Sequence, residues 1–195
     1  MTKLRQTPSQ TVGPYFAYGL SPEQYGYQHG MSSIAGTEMA AGDVEGQRIR
    51  VEGQVFDGAG NVISDALLEI WQADALGRYA HPSDPRGSNS NFKGFGRCGT
   101  GTDPQNRFWF NTIKPGAPEP GSAPHLNVIV MMRGMLLHAF TRIYFPGEAA
   151  NATDKVLAAV PEARRGTLIA EKQVDGVYRF DIHMQGADET VFFDV

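Results

Sequence analysis

A histidine and an asparagine stand two residues apart in the segment APHLNV, residues 123–128. The segment predicts a β-strand, in which positions i and i+2 point to the same face, so His125 and Asn127 are expected to lie side by side. Two histidines at this spacing, with backbones about 6.6 Å apart, can converge on one metal ion. An asparagine carboxamide, however, is a weak neutral ligand that seldom replaces imidazole. The residue chemistry alone leaves three interpretations open: a metal site, the remains of one, and a hydrogen-bonded structural histidine.

Motifs of several other enzyme classes are missing from the sequence. The sequence contains no G-x-S-x-G, P-loop or H-E-x-x-H pattern, which argues against acyl transfer, P-loop nucleotide binding and zincin chemistry. Cys98, the one cysteine, has no neighbouring histidine to activate it. The remaining histidines show no ligand spacing and are His29, His81, His138 and His183. Residue chemistry by itself therefore predicts only a β-sandwich of undetermined function.

Composition and charge are those of an ordinary globular chain. Its 195 residues, 41% of them hydrophobic and 10% aromatic, are enough to bury one core as a single domain. A formal net charge of −4 without any run of lysine or arginine argues against nucleic acid or an acidic membrane surface as a partner. No apolar stretch approaches the roughly 20 residues of a membrane helix, and the N-terminus lacks the apolar core of a secretion signal. A reducing cytoplasm is the expected location, in keeping with the single cysteine.

Short runs rich in valine, isoleucine, phenylalanine and tyrosine alternate with turns that draw on 23 glycines and 12 prolines, which is typical of an all-β sandwich. Residues 48–57 and 62–74, joined by GAGN, are expected to open the sandwich as a hairpin. Further strands are predicted at residues 106–113, 125–132, 136–145, 171–185 and 189–195, with a tight Asp-Gly turn within 171–185. One helical segment, residues 152–170, is predicted, and Pro161 divides it.

Residues 1–45 show little hydrophobic periodicity and are predicted to form a separate N-terminal arm, with the sandwich domain at residues 46–195. Such a segment is either a disordered tail or an arm ordered by contact with another surface. Its aromatic residues favour the second hypothesis because they are costly to leave in water. They are Tyr15, Phe16, Tyr18, Tyr25 and Tyr27. Residues 79–106 form the other long loop, and long ordered loops are often functional.

An ordered set of motifs spans nearly the whole chain: TPSQTVGPYF, LEIWQADALGRYAH, FGRCGT, FNTIKPG, APHLNV and TRIYFPGE. This set closely resembles the intradiol ring-cleavage dioxygenases. The resemblance implies an all-β fold, a β-sandwich of the intradiol dioxygenase type with an extended N-terminal arm and one or two short helices. It also implies a non-haem Fe³⁺ ion, held by two tyrosines and two histidines, and O₂-dependent opening of a catechol ring between its hydroxyl groups.

In iron-bearing members of that family the corresponding patterns are G-R-Y, K-P-G-x-Y and H-x-H. Tyr79 matches the first tyrosine ligand and His125 the first histidine, whereas Pro118 and Asn127 stand in the other two positions. Proline has no side-chain donor atom and the carboxamide is neutral, so both charge and coordination number are lost. The chain is therefore expected not to hold iron by itself. Tyr79 and His125 are expected to hydrogen-bond to each other or to neighbours in a vestigial pocket.

Some enzymes of this family consist of two homologous subunits, α and β, of which only β keeps the iron. This sequence resembles the iron-free α subunit. The resemblance then implies an iron-bearing β partner that holds the Fe³⁺, a higher oligomer of αβ units, and protocatechuate (3,4-dihydroxybenzoate) and O₂ as substrates. Residues that match the part of the partner's substrate pocket supplied by this chain are Thr11, Gly13, Pro14 and Arg133. Arg133 is a candidate for attracting the substrate carboxylate.

Less specific interpretations stay open for these assignments. The segment TVGPYF can simply turn the chain, and Arg133 can form an inter-subunit ion pair without touching substrate. Two other functions are open to the chain as a whole. One is an independent dioxygenase with an altered ligand set, and the other is a non-catalytic β-sandwich binding module.

Overall fold

The computed structural model describes residues 7–13, 15–27, 35–87 and 91–195 and contains two β-sheets with a few short helices. The strands are β1 Arg48–Phe56, β2 Leu67–Trp71, β3 Phe95–Gly99, β4 Arg107–Ile113, β5 His125–Met131, β6 Ala139–Tyr144, β7 Glu171–Lys172, β8 Val177–Arg179 and β9 Ile182–His183. The α-helices are α1 Phe16–Leu20 and α2 Lys155–Ala159, and 3-10 turns cover Pro22–Tyr25, Thr100–Thr102, Ala149–Ala152 and Glu162–Leu168. Within the described ranges, no helix has the length and apolar character needed to cross a membrane.

The two sheets give the chain the predicted all-β sandwich. The first has the strand order β4-β1-β8-β7, with β9 also paired to β1, and the second has the order β3-β2-β5-β6. Buried residues alternate along β1, as its period-2 pattern predicts. In the second sheet β5 lies antiparallel between β2 and β6. The first residues of β5 are therefore flanked by the last residues of both neighbours.

Apolar side chains from both sheets meet in one core. Among the described residues, those fully excluded from water in this core include Val51, Val55, Leu68, Phe108, Phe110, Leu126, Val130 and Ile143. Burial of apolar surface is worth about 25 cal/mol per Å² and is the dominant favourable contribution to folding. The core therefore supports the sandwich without any bound group.

Two strand predictions were wrong. Residues 57–61 form the predicted turn and Phe56 bridges Val62, but the chain then crosses to the other sheet, so β1 and β2 are not a hairpin. The reason is that Leu67 and Leu68 are both fully buried, which suits an inner strand covered on two faces and not an alternating hairpin strand. At the C-terminus, residues 189–195 contribute only a bridge between Phe193 and Phe140.

Local signals in the second half of the chain were interpreted correctly. β7 and β8 pair antiparallel around Gly176, whose φ of 77° suits a tight turn. Pro161 separates α2 from the following 3-10 turn. The prediction of one long loop at residues 79–106 was wrong in part, because residues 95–99 form strand β3. The segment GFGRCG, residues 94–99, has the glycine spacing of a dinucleotide-binding turn, but a 3-10 turn follows the strand instead of a helix.

The predicted N-terminal arm is partly integrated into the chain's own sandwich. Met39 is 1% exposed and belongs to the central core. Gln24 Nε2 donates to the Gly99 carbonyl oxygen at 2.7 Å, and Arg97 donates to the Leu20 carbonyl oxygen at 2.9 Å. The sandwich thus begins before residue 46. Packing of the arm on a partner stays a prediction for its exposed face.

Gly53 marks a point in β1 where a side chain has no room. A Cβ added there would lie 1.8 Å from the Phe180 carbonyl oxygen, because the chain after β8 passes close to β1. We predict that Gly53→Ala lowers the free energy of unfolding by about 2 kcal/mol or more, measured by urea denaturation followed by circular dichroism. Gly166→Ala is the control because no atom lies within 4 Å of its added Cβ. Equal denaturation midpoints for the two variants would contradict the prediction.

Candidate functional site

The four positions predicted as the remains of a metal site come together at one end of the second sheet. Tyr79, Pro118 and His125 line a cavity of about 410 Å³. Asn127 Nδ2 lies 3.5 Å from the Tyr79 hydroxyl oxygen and donates to it. The sandwich therefore gathers the GRY, KPGAP and HLN segments, which are well separated in the sequence, around one space.

The two residues on β5 are positioned by their neighbours in the sheet. His125 lies opposite Tyr144 and Asn127 opposite Arg142 on β6. On the other side, Trp71 at the end of β2 lies opposite Asn127, whose Nδ2 donates to its carbonyl oxygen at 3.3 Å. Because strand residues alternate, His125 and Asn127 share a face, as the sequence predicted.

The loop that carries Tyr79 is fixed by a buried carboxylate. Asp74 Oδ1 accepts from the N–H groups of Leu76 and Arg78, and Oδ2 accepts from Arg78 Nε. The loop packs directly on the KPGAP segment, since a Cβ on Gly77 would lie 2.0 Å from the Ala117 carbonyl oxygen. Gly77 also has a φ of 78°, which glycine adopts at little cost. Glycine is therefore required for these two segments to share a cavity.

The Tyr79 phenol is held between an aromatic ring and an amide. Its ring stacks on Trp71, with 5.8 Å between centroids and 10° between planes. Burial raises the pKa of Tyr79 above its ordinary value, although the hydrogen bond from Asn127 opposes this effect. At neutral pH the side chain is therefore a phenol and not a phenolate.

His125 makes its hydrogen bond to the backbone. The residue is 4% exposed, and its Nδ1 lies 2.8 Å from the Ala123 carbonyl oxygen. A carbonyl oxygen only accepts, so Nδ1 carries the hydrogen and Nε2 is the acceptor of the neutral ring. Burial lowers the pKa of His125, which favours this neutral form. Tyr79 and His125 thus bond to neighbours and not to each other.

A buried carboxylate that the sequence analysis missed ties this end of the sandwich together. Asp154 Oδ1 accepts from Leu157 N at 2.8 Å and from the Tyr144 hydroxyl at 3.1 Å, and Oδ2 accepts from Ala123 N at 2.8 Å. Burial alone would raise the pKa of Asp154, but these hydrogen bonds outweigh it and leave the pKa below its ordinary value. Its place as the N-cap before KVLAA was the signal that could have identified it.

Tyr144 extends this network towards the cavity. Burial raises the pKa of Tyr144 to about 12, so the hydroxyl keeps its proton and donates it to Asp154. The same oxygen accepts a hydrogen bond from Arg142 at 3.3 Å. The guanidinium of Arg142, which lines the cavity, is thereby held near His125 and Tyr79.

The donors at this site do not fit an Fe³⁺ centre. The four positions supply a neutral phenol, an imidazole, a carboxamide and a proline without a donor atom. Anionic donors are needed to offset the ion's charge in a partly buried site. Asp154 is available as an anion, but both of its oxygens already accept hydrogen bonds from this chain. Over the part of the chain that the structure describes, no three His, Cys, Asp or Glu side chains gather as a metal site.

Two of the predicted substrate-pocket residues lie together, but at the opposite end of β5. Thr11 Oγ1 accepts a hydrogen bond from Gly134 N at 2.9 Å. Arg133 has 65% of its side chain exposed and forms an ion pair with Asp65. Strand β5 advances about 13 Å from Asn127 to its last residue, Met131, and Arg133 lies in the turn beyond it. These residues therefore do not line this chain's own cavity.

The rest of the TVGPYF segment turns the chain into α1. Phe16 N donates to the Gly13 carbonyl oxygen at 3.1 Å, which closes the turn. Gly13 is exposed, and no atom of this chain lies within 4 Å of the Cβ that it lacks. Pro14 lies outside the described residues. The segment is thus a turn whose outer side is open to another surface.

Comparison with known proteins places this fold and site in a family. The sequence profile of the family described as Dioxygenase matches residues 20–186. The dioxygenase domain of a dioxygenase carbohydrate-binding protein fusion from Streptomyces sp. SirexAA-E is 26% identical, with a TM-score of 0.62, and the match covers 94% of this chain and 100% of that one. The intradiol ring-cleavage dioxygenase from Tetranychus urticae shares the fold, with a TM-score of 0.61 at 19% identity over 80% of this chain and 89% of that one. The chain belongs to the intradiol dioxygenase family.

Sequence relatives narrow the assignment within that family. The protocatechuate 3,4-dioxygenase alpha chain of Burkholderia cepacia is 56% identical over 100% of both chains. The alpha chain from Pseudomonas putida is 42% identical over 98% of this chain and 97% of that one. The beta chain of the Burkholderia cepacia enzyme is 37% identical over 76% of this chain and 69% of that one. This chain is thus similar to both chain types, and to these alpha chains over more of its length.

Asp154 gives a direct test of what holds the cavity end of the sandwich. In Asp154→Asn the amide NH₂ must face one of the backbone N–H groups that the carboxylate now accepts from. We expect the free energy of unfolding to fall by about 2–3 kcal/mol, measured by urea denaturation at pH 7. Asp175→Asn, at a carboxylate that is 100% exposed in its ion pair with Lys172, is the matched control and should leave the midpoint unchanged.

The same carboxylate predicts a pH dependence. The pKa of Asp154 is lower in the folded chain than the value near 3.9 of an unfolded aspartate, so its contribution is fully present above that value. It is lost as the pH falls through the folded-state pKa. We therefore expect the difference in unfolding free energy between the unsubstituted chain and Asp154→Asn to be constant from pH 7 to 5 and to shrink below about pH 4. A difference that stays constant down to pH 3 would count against this role.

Proposed function

We propose that this chain is the iron-free α-type subunit of an intradiol dioxygenase acting on protocatechuate, and that a homologous β-type partner holds the Fe³⁺ ion. The overall reaction is cleavage of 3,4-dihydroxybenzoate by O₂ to 3-carboxy-cis,cis-muconate. The bound iron supplies a Lewis acid and a template for the catechol oxygens. Similarity to both an alpha and a beta chain of the Burkholderia cepacia enzyme supports an αβ heteromer.

The observation that carries this proposal is the contrast between the two ends of β5. At the His125 end, the donors for a metal ion are incomplete and the tyrosine is a neutral phenol. At the other end, Thr11 and Arg133 lie together on the surface, where a second subunit can meet them. A chain that has lost its own metal donors but presents these residues outwards is suited to completing a neighbour's site.

Arg133 is suited to attracting the carboxylate of protocatechuate. Its ion pair with Asp65 is solvent-exposed, and such pairs contribute little, so a substrate carboxylate can compete for the guanidinium. Docking of a partner would exclude water from this surface and strengthen the interaction. The Thr11 hydroxyl and the open side of Gly13 lie on the same N-terminal turn, and we assign them, with Pro14, to the wall of the shared pocket.

An apolar surface next to these residues supports the partner and the higher αβ oligomer. Leu136 and Leu137 are 63% and 68% exposed. Val12 and Met135 line a small cavity of about 180 Å³ beside the two leucines. Contiguous exposed apolar side chains of this kind are typical of protein–protein interfaces.

Two rival functions are less well supported. An independent dioxygenase with altered ligands would need donors that replace Pro118 and Asn127, and both Asp154 oxygens are already engaged within the chain. A pure binding module would give no reason for the similarity to both chains of one enzyme. We further propose that the enzyme works in the cytoplasm, where the single buried thiol of Cys98 needs no disulfide partner.

The assignment of iron to the partner is tested by counting metal. We expect co-expression of this chain with an iron-bearing homologue to yield one iron per αβ pair, together with visible tyrosinate-to-iron absorption and ring cleavage of protocatechuate. The chain purified without the homologue should show neither the absorption nor the activity. Two irons per pair, or absorption and cleavage by this chain alone, would overturn the proposal in favour of the independent dioxygenase.

The role of Arg133 is tested by comparing two substrates in the αβ complex. Arg133→Ala should raise KM for protocatechuate by about tenfold and change KM for catechol, which lacks the carboxylate, much less. Arg164→Ala removes an exposed arginine that pairs with Glu189, and it should leave both KM values unchanged. Equal effects of Arg133→Ala on both substrates would instead indicate an inter-subunit ion pair without substrate contact.

A further inference from the structure

The cavity beside Tyr79 has a volume of about 410 Å³ and a partly polar lining that includes His125 and Arg142. We propose that this cavity is a non-catalytic binding site for a small aromatic carboxylate that also carries a hydroxyl group. The cavity is lined by residues of this chain and lies at the opposite end of β5 from the surface assigned to the partner's pocket. The inference is therefore independent of the proposed function.

Arg142 supplies the anchor for the carboxylate. It lines the cavity, is half-buried, and donates to the Tyr144 hydroxyl at 3.3 Å. A guanidinium has five N–H donors, and none of the ion pairs among the described residues involves Arg142. A planar donor fork with free N–H groups in a partly buried space matches the two oxygens of a carboxylate.

The other charges around the cavity do not cancel this anchor. Asp154 faces the same space, but its oxygens accept three hydrogen bonds from the chain. Glu119 and Lys155 carry opposite charges on exposed positions at the rim. With Asp154 engaged by donors of the chain, and with Glu119 and Lys155 screened by water at the rim, Arg142 is the half-buried charged side chain with N–H groups left to meet a ligand carboxylate.

His125 and Tyr79 provide the complement for a ligand hydroxyl. Since His125 Nδ1 donates to the Ala123 carbonyl oxygen, Nε2 is the acceptor in the neutral ring and suits a phenolic O–H. The Tyr79 oxygen accepts from Asn127, which leaves its own O–H free to donate. The cavity thus offers one acceptor and one donor near the guanidinium, which is the complement of a hydroxybenzoate and not of a simple inorganic anion.

The walls and size fit an aromatic ring. Tyr79, stacked on Trp71, and the rings of Pro118 and Pro120 present flat apolar surface to the cavity. A volume of about 410 Å³ lies within the range of small-molecule sites. Apolar walls with a few convergent polar groups are the usual composition of such sites.

The test is isothermal titration calorimetry of the full-length chain without a partner, with 4-hydroxybenzoate as the probe. We expect saturable binding of one molecule per chain. Phenol, which lacks the carboxylate, and benzoate, which lacks the hydroxyl, should each bind at least about fivefold more weakly. Arg142→Gln should weaken 4-hydroxybenzoate binding by about tenfold or more, while Arg164→Gln, at an exposed ion pair with Glu189, should leave it unchanged.

A second variant separates loss of binding from loss of fold. Pro118→Phe places a ring into the cavity and removes no charge, so it should abolish binding while the thermal unfolding midpoint, followed by circular dichroism, stays that of a folded chain. Absence of binding by the unsubstituted chain at millimolar probe would overturn the inference, as would an affinity in Arg142→Gln or in Pro118→Phe equal to that of the unsubstituted chain. Neither result bears on the iron count or turnover of the αβ complex, so failure here is distinguishable from failure of the proposed function.

Discussion

The buried carboxylate of Asp154 is the interaction on which the cavity end of this molecule depends. One side chain accepts hydrogen bonds from the segment before β5, from the end of β6 and from the first turn of α2, through Ala123, Tyr144 and Leu157. An ionised carboxylate is stable in such a place only when its oxygens are satisfied, and a lost partner leaves a buried charge unpaired. The network is complete with groups of this chain alone, so the shape of this end of the sandwich is set by hydrogen bonds.

The Tyr79 side of the cavity is also held in place by contacts within the chain. The Tyr79 loop is held by Asp74 and by the close approach of Gly77 to the Ala117 carbonyl oxygen, neither of which involves a metal ligand. Asn127 takes over as hydrogen-bond donor to the Tyr79 phenol, so the polar atoms in this place stay paired. Hydrogen bonds within the chain thus hold the side chains on this side, around an open cavity that contains a guanidinium.

Strand β5 lies between the cavity beside Tyr79 and the surface that carries Arg133. β5 begins beside the cavity and ends near Arg133, and its length keeps the two regions apart. Contacts at one end therefore do not depend on side chains at the other. The core between the two ends is buried and apolar, so no polar network of the core links the cavity to the Arg133 surface.

The sequence by itself determined the fold class, the turn at Gly176, the break at Pro161 and the shared face of His125 and Asn127. These are local properties, fixed by residue period, by proline's missing N–H and by glycine's freedom at positive φ. Motif resemblance also selected Tyr79, Pro118, His125 and Asn127 as one group, and the structure brings them together.

Only the tertiary structure decided which sheet β2 joins, that Met39 of the predicted arm lies in the core, and that Asp154 holds the cavity. It also decided that Tyr79 bonds to Asn127 and that His125 bonds to the backbone. These features depend on contacts between segments far apart in the chain. Their energies come from burial and from hydrogen bonds that exist only once the sheets have packed, so no local pattern encodes them.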